Sequence, residues 1–492
     1  MSRRRQGFVR IGWIGRTRMH RGYMTLFELL PSPPHAAPLW LDRAVWPLST
    51  HVDEDGQLCV GGVALAEVAN TFRTPTYVID EADFRQRIRN YRTMLPALKV
   101  VYAGKSLLTV AVARWVAEEG VGLDVCSGGE LGIALAGGVD PSQIIVHGNA
   151  KTLDELRDAA TVGVGRIVVD SPIEIALLAG WVRRRRQVLI RVIPEIDIHG
   201  HPAMTTGVAD QKFGFTLAEG QAAAAVKRVL NQPLLDLVGL HCHIGSQVSD
   251  AGLYGEAIKR MIAAMADVRD SYGVVLTELN IGGGHAVPYV SGDRGLNLDD
   301  FAAVIEQALQ AACTAHQFPR PTVVIEPGRA ISARSGVTVY RVLTVKSQPG
   351  GRTFVAVDGG MSDNPRVGLY GAKYTVVSAN RHHATPSKLV TVVGRHCEPG
   401  DEIARDVDLP ADIHPGDLLA VACTGAYHHS MASNYNTLGR PPVVAVNNGR
   451  MRELVRRETI TDLLLRDRGW DSEPKAAPCD ITSGWQALLR GD

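Results

Sequence analysis

The 492-residue sequence lacks, first, any imbalance of charge: 52 lysines and arginines stand against 51 aspartates and glutamates, a formal net charge of +1. Such a balance gives no electrostatic case for nucleic acid. It also lacks a C-x-x-C spacing, and its seven cysteines are odd in number, which argues reduced thiols in the cytoplasm over a disulfide framework. Long apolar runs are missing near the start. Residues 2–21 are rich in arginine and their apolar stretches are broken by Arg10 and Arg16, so they hold neither a signal-peptide core nor a membrane span. No repeat or low-complexity tract is long enough to define a domain. Arg183 to Arg186 is a short basic run and reads as a solvated helix end. His199 and His201 have no third ligand beside them, so no metal is expected.

What is present is a regular alternation. Eight apolar runs recur from Lys99 onward: Val100 to Ala103, Gly122 to Val125, Ile144 to Val146, Ile167 to Val169, Val188 to Ile193, Leu237 to Leu240, Leu276 to Ile281 and Val323 to Ile325. Between them lie stretches such as Thr109 to Glu118, Glu155 to Ala160 and Gly255 to Val268, whose apolar residues return at three- and four-residue steps. Unbroken apolar strands alternating with helices predict a buried parallel sheet, and eight of them predict closure into a (β/α)8 barrel. With 45% hydrophobic residues the chain can fill large cores, and its length suggests two or more domains.

In such a barrel the active site lies at the C-terminal strand ends. The candidates there are Tyr102 to Lys105, His147 to Asn149, His241 to Ser246, Gly282 to Gly284, and Glu326 to Arg329. Three glycines let backbone N–H groups approach an anion closely, and the loops after strands seven and eight often hold phosphate. Lys105 ends an apolar strand, where burial is expected to lower its pKa and make it a nucleophile toward a carbonyl. Each feature alone has a plainer reading, as a tight turn or a solvated lysine. Together, a lysine, an acid, a histidine and a phosphate cradle are most economically explained by pyridoxal phosphate.

In order, Tyr102-Ala103-Gly104-Lys105, His243-Ile244-Gly245-Ser246, Gly282 to Gly284, Glu326-Pro327-Gly328-Arg329, Cys397-Glu398 and Gly425-Ala426-Tyr427 resemble the motifs of the fold type III, alanine-racemase-like pyridoxal-phosphate decarboxylases of the ornithine, diaminopimelate and arginine group. Within that group the resemblance is greatest to the branch acting on diaminopimelate. It covers about Val45 to Arg466. It implies an α/β fold of (β/α)8 barrel plus C-terminal β domain, in a homodimer whose active sites are shared between subunits. The expected organisation is an extension over 1–44, disordered or lying upstream of a true start at Met19 or Met24; a segment over 45–80 packing with the β domain; the barrel over 81–330; the β domain over 331–466; and a second extension over 467–492. Short β-branched runs, Val337 to Lys346, Thr353 to Val357, Leu389 to Val393, Leu418 to Ala422 and Pro442 to Val446, support a β domain without the resemblance.

The resemblance also implies roles. Lys105 would hold the cofactor covalently, Glu326 would face the pyridine nitrogen, and His243 would stack on the ring. Ser246, Gly283, Gly284 and Tyr427 would bind phosphate; Gly328 permits close approach, and Arg329 would serve phosphate and substrate alike. Cys397, from the other subunit, would deliver the proton after CO2 leaves. Without its neighbours, Cys397 would read as a buried thiol.

Substrate class follows from charge. A diamine precursor such as ornithine shows only an ammonium at its far end, whereas diaminopimelate shows an ammonium and a carboxylate, and arginine binds carboxylate in a two-pronged geometry. Arg366 and Tyr370, in a loop resembling the family's substrate loop, would meet that carboxylate, and Glu398 the ammonium, with Arg329 and Tyr427 also in reach. The expected reaction is decarboxylation of meso-2,6-diaminopimelate to L-lysine and CO2, with a small amino acid as the only other partner and neither nucleic acid nor membrane. His285-Ala286-Val287 after the glycines, the Pro194 to Thr206 loop and Pro399 depart from the family pattern. They leave open a paralogue acting on a modified or carrier-linked amino acid, or on ornithine or arginine. A catalytically silent barrel is disfavoured by the joint presence of Lys105, Glu326, Cys397 and Tyr427, and a racemase by Glu326.

Overall fold

The structure, a computed structural model, describes residues 41–197, 210, 212–381 and 386–469. The expected extensions fall outside these residues except for 41–44 and 467–469, as does the stretch carrying His199, His201 and Pro202.

Eight strands close into a parallel ring: β1 (Leu98–Ala103), β2 (Gly122–Val125), β3 (Ile144–Val146), β4 (Arg166–Val169), β5 (Arg186–Ile193), β6 (Leu235–His241), β7 (Glu278–Asn280) and β8 (Thr322–Ile325). Each pairs with its successor, and β8 returns to β1 through Val323 and Leu98. All eight expected runs coincide with or overlap these strands. The seventh is shorter than expected, with Leu276 and Ile281 flanking it.

The pleat explains why the runs are apolar throughout. Val101, Ile145, Val168, Leu189 and Val324 point inward and form one cluster inside the ring. Their neighbours Val100, Tyr102, Ile144 and Val146 point outward into the layer beneath the helices. Burying each such aliphatic side chain contributes about 1.5–3 kcal/mol. Helices begin directly after the strand ends, each started by a hydroxyl: Thr109, Ser127, Thr152 and Ser171 accept from amides of Val110–Glu118, Gly128–Ala136, Leu153–Val162 and Pro172–Trp181. Such caps are worth roughly 1 kcal/mol apiece and fix the short loops at the rim of the ring.

A second, mixed sheet runs in the order Glu402–Pro410, Ser387–Val393, Thr353–Val357, Gly336–Ser347, Thr76–Asp80, Val443–Asn447, Arg450–Val455. Thr76–Asp80, which precedes the ring in sequence, lies antiparallel to Gly336–Ser347 and parallel to Val443–Asn447. Leu418–Ala422 pairs with Gly336–Ser347 and carries Val376–Ser378 on its other side. Glu402–Pro410 and Arg450–Val455 have no apolar run to announce them. They are the two ends of the sheet path, where charges such as Arg405, Asp408 and Arg452 suit an edge strand.

The second sheet reaches the ring's rim at one point that matters for the site. Tyr427 N–H, beyond Leu418–Ala422, donates to Ser106 O at 2.8 Å, and Ser430 Oγ donates to the same oxygen at 3.3 Å. Among the described residues no helix is long and apolar enough to cross a membrane.

Candidate active site

The C-terminal ends of the strands enclose a cavity of about 330 Å³ lined by residues from both sheets, Lys105 and Tyr427 among them. Lys105 sits in the single turn Gly104–Ser106 that follows β1, lines the cavity and is exposed to solvent there. The sequence predicts a lowered pKa, and the structure corrects this. Burial does act downward, but Tyr427 and the Asp124 carboxylate outweigh it, and the ammonium is held above its ordinary value. In this state Lys105 is an anchoring cation that must shed a proton before it can attack a carbonyl.

Across the cavity, Glu326 leaves the end of β8 into a cluster of hydrogen bonds. His147 Nε2 lies 2.7 Å from Oε1, Asn280 Nδ2 donates to the same oxygen at 2.6 Å, and His241 Nε2 lies 3.3 Å from Oε2. Burial alone would favour the neutral acid, but the two imidazoles prevail and hold Glu326 well below the usual carboxylate range. His147 moves the opposite way: burial lowers it, yet Asp124 and Glu326 raise it above the ordinary histidine value. His241, whose largest influence is burial, falls to about 4 and stays a neutral donor. Asp124, buried near His147, is pushed up to about 6 by burial, His147 opposing and Glu326 assisting. The ligand atoms of His147, His241 and Glu326 lie within 4.8 Å of one another, a grouping a divalent ion could also use, although Glu326 Oε1 is already occupied twice.

Sequence reading listed His147 and His241 at strand ends without a role, and it missed Asn280, Asp124 and Arg191. The signal for the last two was available: each is a charged residue inside an otherwise apolar strand of a buried sheet, which must therefore face a polar interior. Arg191 lies with its guanidinium carbon 4.3 Å from the centre of the Phe213 ring and its Nε 3.8 Å from Asp170.

The loops after β6, β7 and β8 interlock. A Cβ on Gly283 would stand 2.0 Å from Glu326 O, and one on Gly284 1.9 Å from Gly245 O. Glycine is thus required for the loops to pack on each other, beyond the access to an anion that the sequence suggests. Gly283 N–H donates to His243 Nδ1 at 3.3 Å. Burial, and after it the cations Lys105 and Arg191, keep that ring well below its usual pKa and hence neutral. Gly328 is equally constrained, its Cβ position lying 2.9 Å from Ala103 Cβ. Arg329, next in sequence, does not pair with Glu326. It donates to Tyr289 Oη at 2.7 Å and to Ser246 Oγ at 2.9 Å, beneath the Tyr427 ring at 4.8 Å.

Arg366 opens the short helix Arg366–Tyr370 and is buried beside this group, sharing Tyr289 Oη at 3.0 Å and reaching Tyr374 Oη at 2.6 Å. Tyr370, half-buried, has its ring centre 6.0 Å from the Arg366 guanidinium. Cys397 and Glu398 are not brought to this cavity within one chain. Both are exposed, on a loop fixed by Cys397 N–H to Asn436 Oδ1 at 3.1 Å and by Asp401, which accepts from Met361 N–H, His396 N–H and the His396 ring.

A buried acid facing a lysine amine, with a glycine cradle and an unpaired arginine to one side, defines a barrel enzyme that handles a phosphorylated carbonyl cofactor. The chain belongs to the pyridoxal-dependent decarboxylases: residues 81–333 match that family's pyridoxal-binding domain. It is 51% identical to a diaminopimelate decarboxylase of Actinosynnema pretiosum subsp. auranticum, covering 90% of this chain and all of the relative, and 41% identical to that of Bacillus subtilis, covering 84% and 96%. Among solved structures it resembles a diaminopimelate decarboxylase of M. jannaschii in complex with L-lysine, at a TM-score of 0.80 and 30% identity over 86% of this chain and 98% of that one. The barrel with its added sheet, the alanine-racemase-like fold, and pyridoxal phosphate as cofactor follow from this membership.

The residues present fit that cofactor. Among the described residues Arg329 is buried without a carboxylate partner, and its Nε has no hydrogen bond, as expected of a group awaiting an anion. Glu326 is charged and buried at the far side, as a protonated ring nitrogen requires.

Proposed function

We propose that the protein decarboxylates meso-2,6-diaminopimelate to L-lysine and CO2, as a homodimer in the cytoplasm. One observation carries the substrate: Arg366, buried beside the cavity and bonded, among the described residues, to hydroxyls and to no carboxylate, suits a substrate whose far end bears a carboxylate. A pocket for a simple diamine precursor would have no use for that guanidinium.

Pyridoxal phosphate, when bound, supplies an aldehyde to capture the substrate amine and an electron-poor ring to accept the electron pair left when CO2 departs. Lys105 Nζ would hold the aldehyde and Glu326 the ring nitrogen; Ser246, Gly283, Gly284, Arg329 and Tyr427 would hold the phosphate, and neutral His243 would serve the ring. His147, His241 and Asn280 keep Glu326 charged, so that it would favour a proton on the ring nitrogen. Arg366 and Tyr370 receive the far carboxylate, with Arg329 and Tyr427 beside them, and Glu398 receives the far ammonium. Cys397 Sγ delivers the final proton. Its exposed loop, away from the chain's own cavity, is what a site completed by a second subunit would look like. The six described cysteines are free, in keeping with a reducing compartment.

The test is purified holoenzyme offered meso-diaminopimelate, ornithine, lysine and arginine. CO2 and L-lysine are expected from the first alone; turnover of another substrate in its place would overturn the assignment.

A further inference from the structure

Two buried guanidiniums meet at one phenol. Arg329 and Arg366 are 8% and 4% exposed, and among the described residues their partners are hydroxyls and not carboxylates. Arg329 Nη1 and Arg366 Nη1 both donate to Tyr289 Oη, at 2.7 and 3.0 Å. A phenol oxygen accepts two hydrogen bonds, and here both go to cations. Beyond this shared atom their hydrogen-bond partners are separate, Ser246 Oγ for Arg329 and Tyr374 Oη for Arg366, while the Tyr427 ring stacks near both guanidiniums, at 4.8 and 5.9 Å, and accepts no hydrogen bond from either.

Tyr289 is held where it can bridge. Its ring meets Tyr374 edge-on, 5.3 Å between centres at 87°. Its backbone carbonyl accepts from Thr375 Oγ1 at 3.0 Å, and its N–H donates to Asp293 Oδ2 at 3.0 Å. The hydroxyl therefore cannot follow one arginine without shifting against the other. An anion taken up by Arg329 would withdraw donor strength from Tyr289 and reposition the oxygen that orients Arg366.

We propose that Tyr289 is a positioning residue that links anion binding at Arg329 to the orientation of Arg366, so that loading the cofactor's phosphate presets the site for the substrate's far carboxylate. The inference rests on the roles given above to Arg329 and Arg366. By thermodynamic reciprocity, the link must act in both directions.

Two hydroxyl deletions separate the link from a local effect, read by fluorescence titration of the apo-protein with pyridoxal phosphate and by steady-state kinetics of the holoenzyme. Tyr374→Phe removes a hydroxyl that is hydrogen-bonded to Arg366 and not to Arg329, and is expected to raise KM for meso-diaminopimelate about 5-fold with cofactor Kd unchanged. Tyr289→Phe keeps the ring and removes the bridge, and is expected to raise both quantities about 5-fold with kcat within about 2-fold. The link is overturned if Tyr289→Phe moves KM and leaves cofactor Kd alone, or if Tyr374→Phe moves Kd as much. Ser246→Ala, which loosens Arg329 from its other side and leaves Tyr289 intact, guards against a folding defect. At saturating cofactor it should raise KM about 3-fold, and an unchanged KM counts against the link. An Arg366→Gln variant with unchanged KM would instead withdraw the substrate reading, a result none of the cofactor titrations can mimic.

Discussion

Glu326 lies at the C-terminal end of β8 with both oxygens engaged, by His147 and Asn280 on one and His241 on the other, whereas Cys397 and Glu398 sit exposed on a loop of the second sheet. The first group is set by strand ends that cannot move without disturbing the buried ring. The second borrows its position from a carboxylate, Asp401, that ties the Met361 and His396 backbones together. Chemistry that must be poised before substrate arrives is thus built on the rigid sheet. The proposed proton donor, needed only at the end, rides on an exposed loop instead.

Lys105→Ala tests the rigid half most severely. Decarboxylation should fall by about 10³-fold or more, and the visible absorption of bound cofactor should disappear; a band that survives dialysis would take the covalent role away from Lys105. Cys397→Ala tests the borrowed half: kcat should fall by roughly 100-fold or more with cofactor titration unchanged. Mixing subunits of these two variants should recover about a quarter of wild-type activity if sites are shared between chains, and none if each chain is self-sufficient. Arg366→Gln should raise KM for meso-diaminopimelate about 10- to 100-fold, the loss of hydrogen bonds to a charged group, with a smaller change in kcat.

The smallest effect concerns His285, which replaces the usual continuation of the glycine loop. It is buried against Tyr91, Tyr254 and Phe301, with Tyr91 Oη 2.8 Å from its Nδ1, and burial pushes it down to about 3. The unfolded chain takes up this proton near pH 6.5 and the folded one does not, so its contribution to stability is complete above pH 6.5 and is lost progressively as the pH falls toward 3. His285→Phe should flatten the fall in the apo-protein's urea midpoint between pH 6.5 and 4; an identical pH slope would assign that acid sensitivity elsewhere.

The ring was legible because a buried parallel strand is apolar on both faces, and that pattern survives in sequence. Lys105, the glycines and Glu326 were legible as polar stops after those runs. What escaped were partners that meet only across the closed ring: His147 from the third strand end and Asn280 from the seventh share one oxygen of Glu326 from the eighth. Tyr289 escaped for the same reason. Nothing in Val-Pro-Tyr signals that its hydroxyl will stand between two arginines that are neighbours only after the second sheet folds onto the rim. The error on Lys105 is of this kind too. Burial can be read from an apolar strand, but the opposing influences of Tyr427 and the Asp124 carboxylate come from elsewhere in the chain.

Thr76–Asp80 has a consequence for how this protein is made. It leaves the ribosome before any of the ring, yet both of its sheet neighbours, Gly336–Ser347 and Val443–Asn447, come after the whole ring has been synthesised. At ~5–20 residues per second this β-branched strand waits tens of seconds with both hydrogen-bonding edges open. During that interval the nascent chain carries an unpaired strand, and a holding chaperone would find its natural target there.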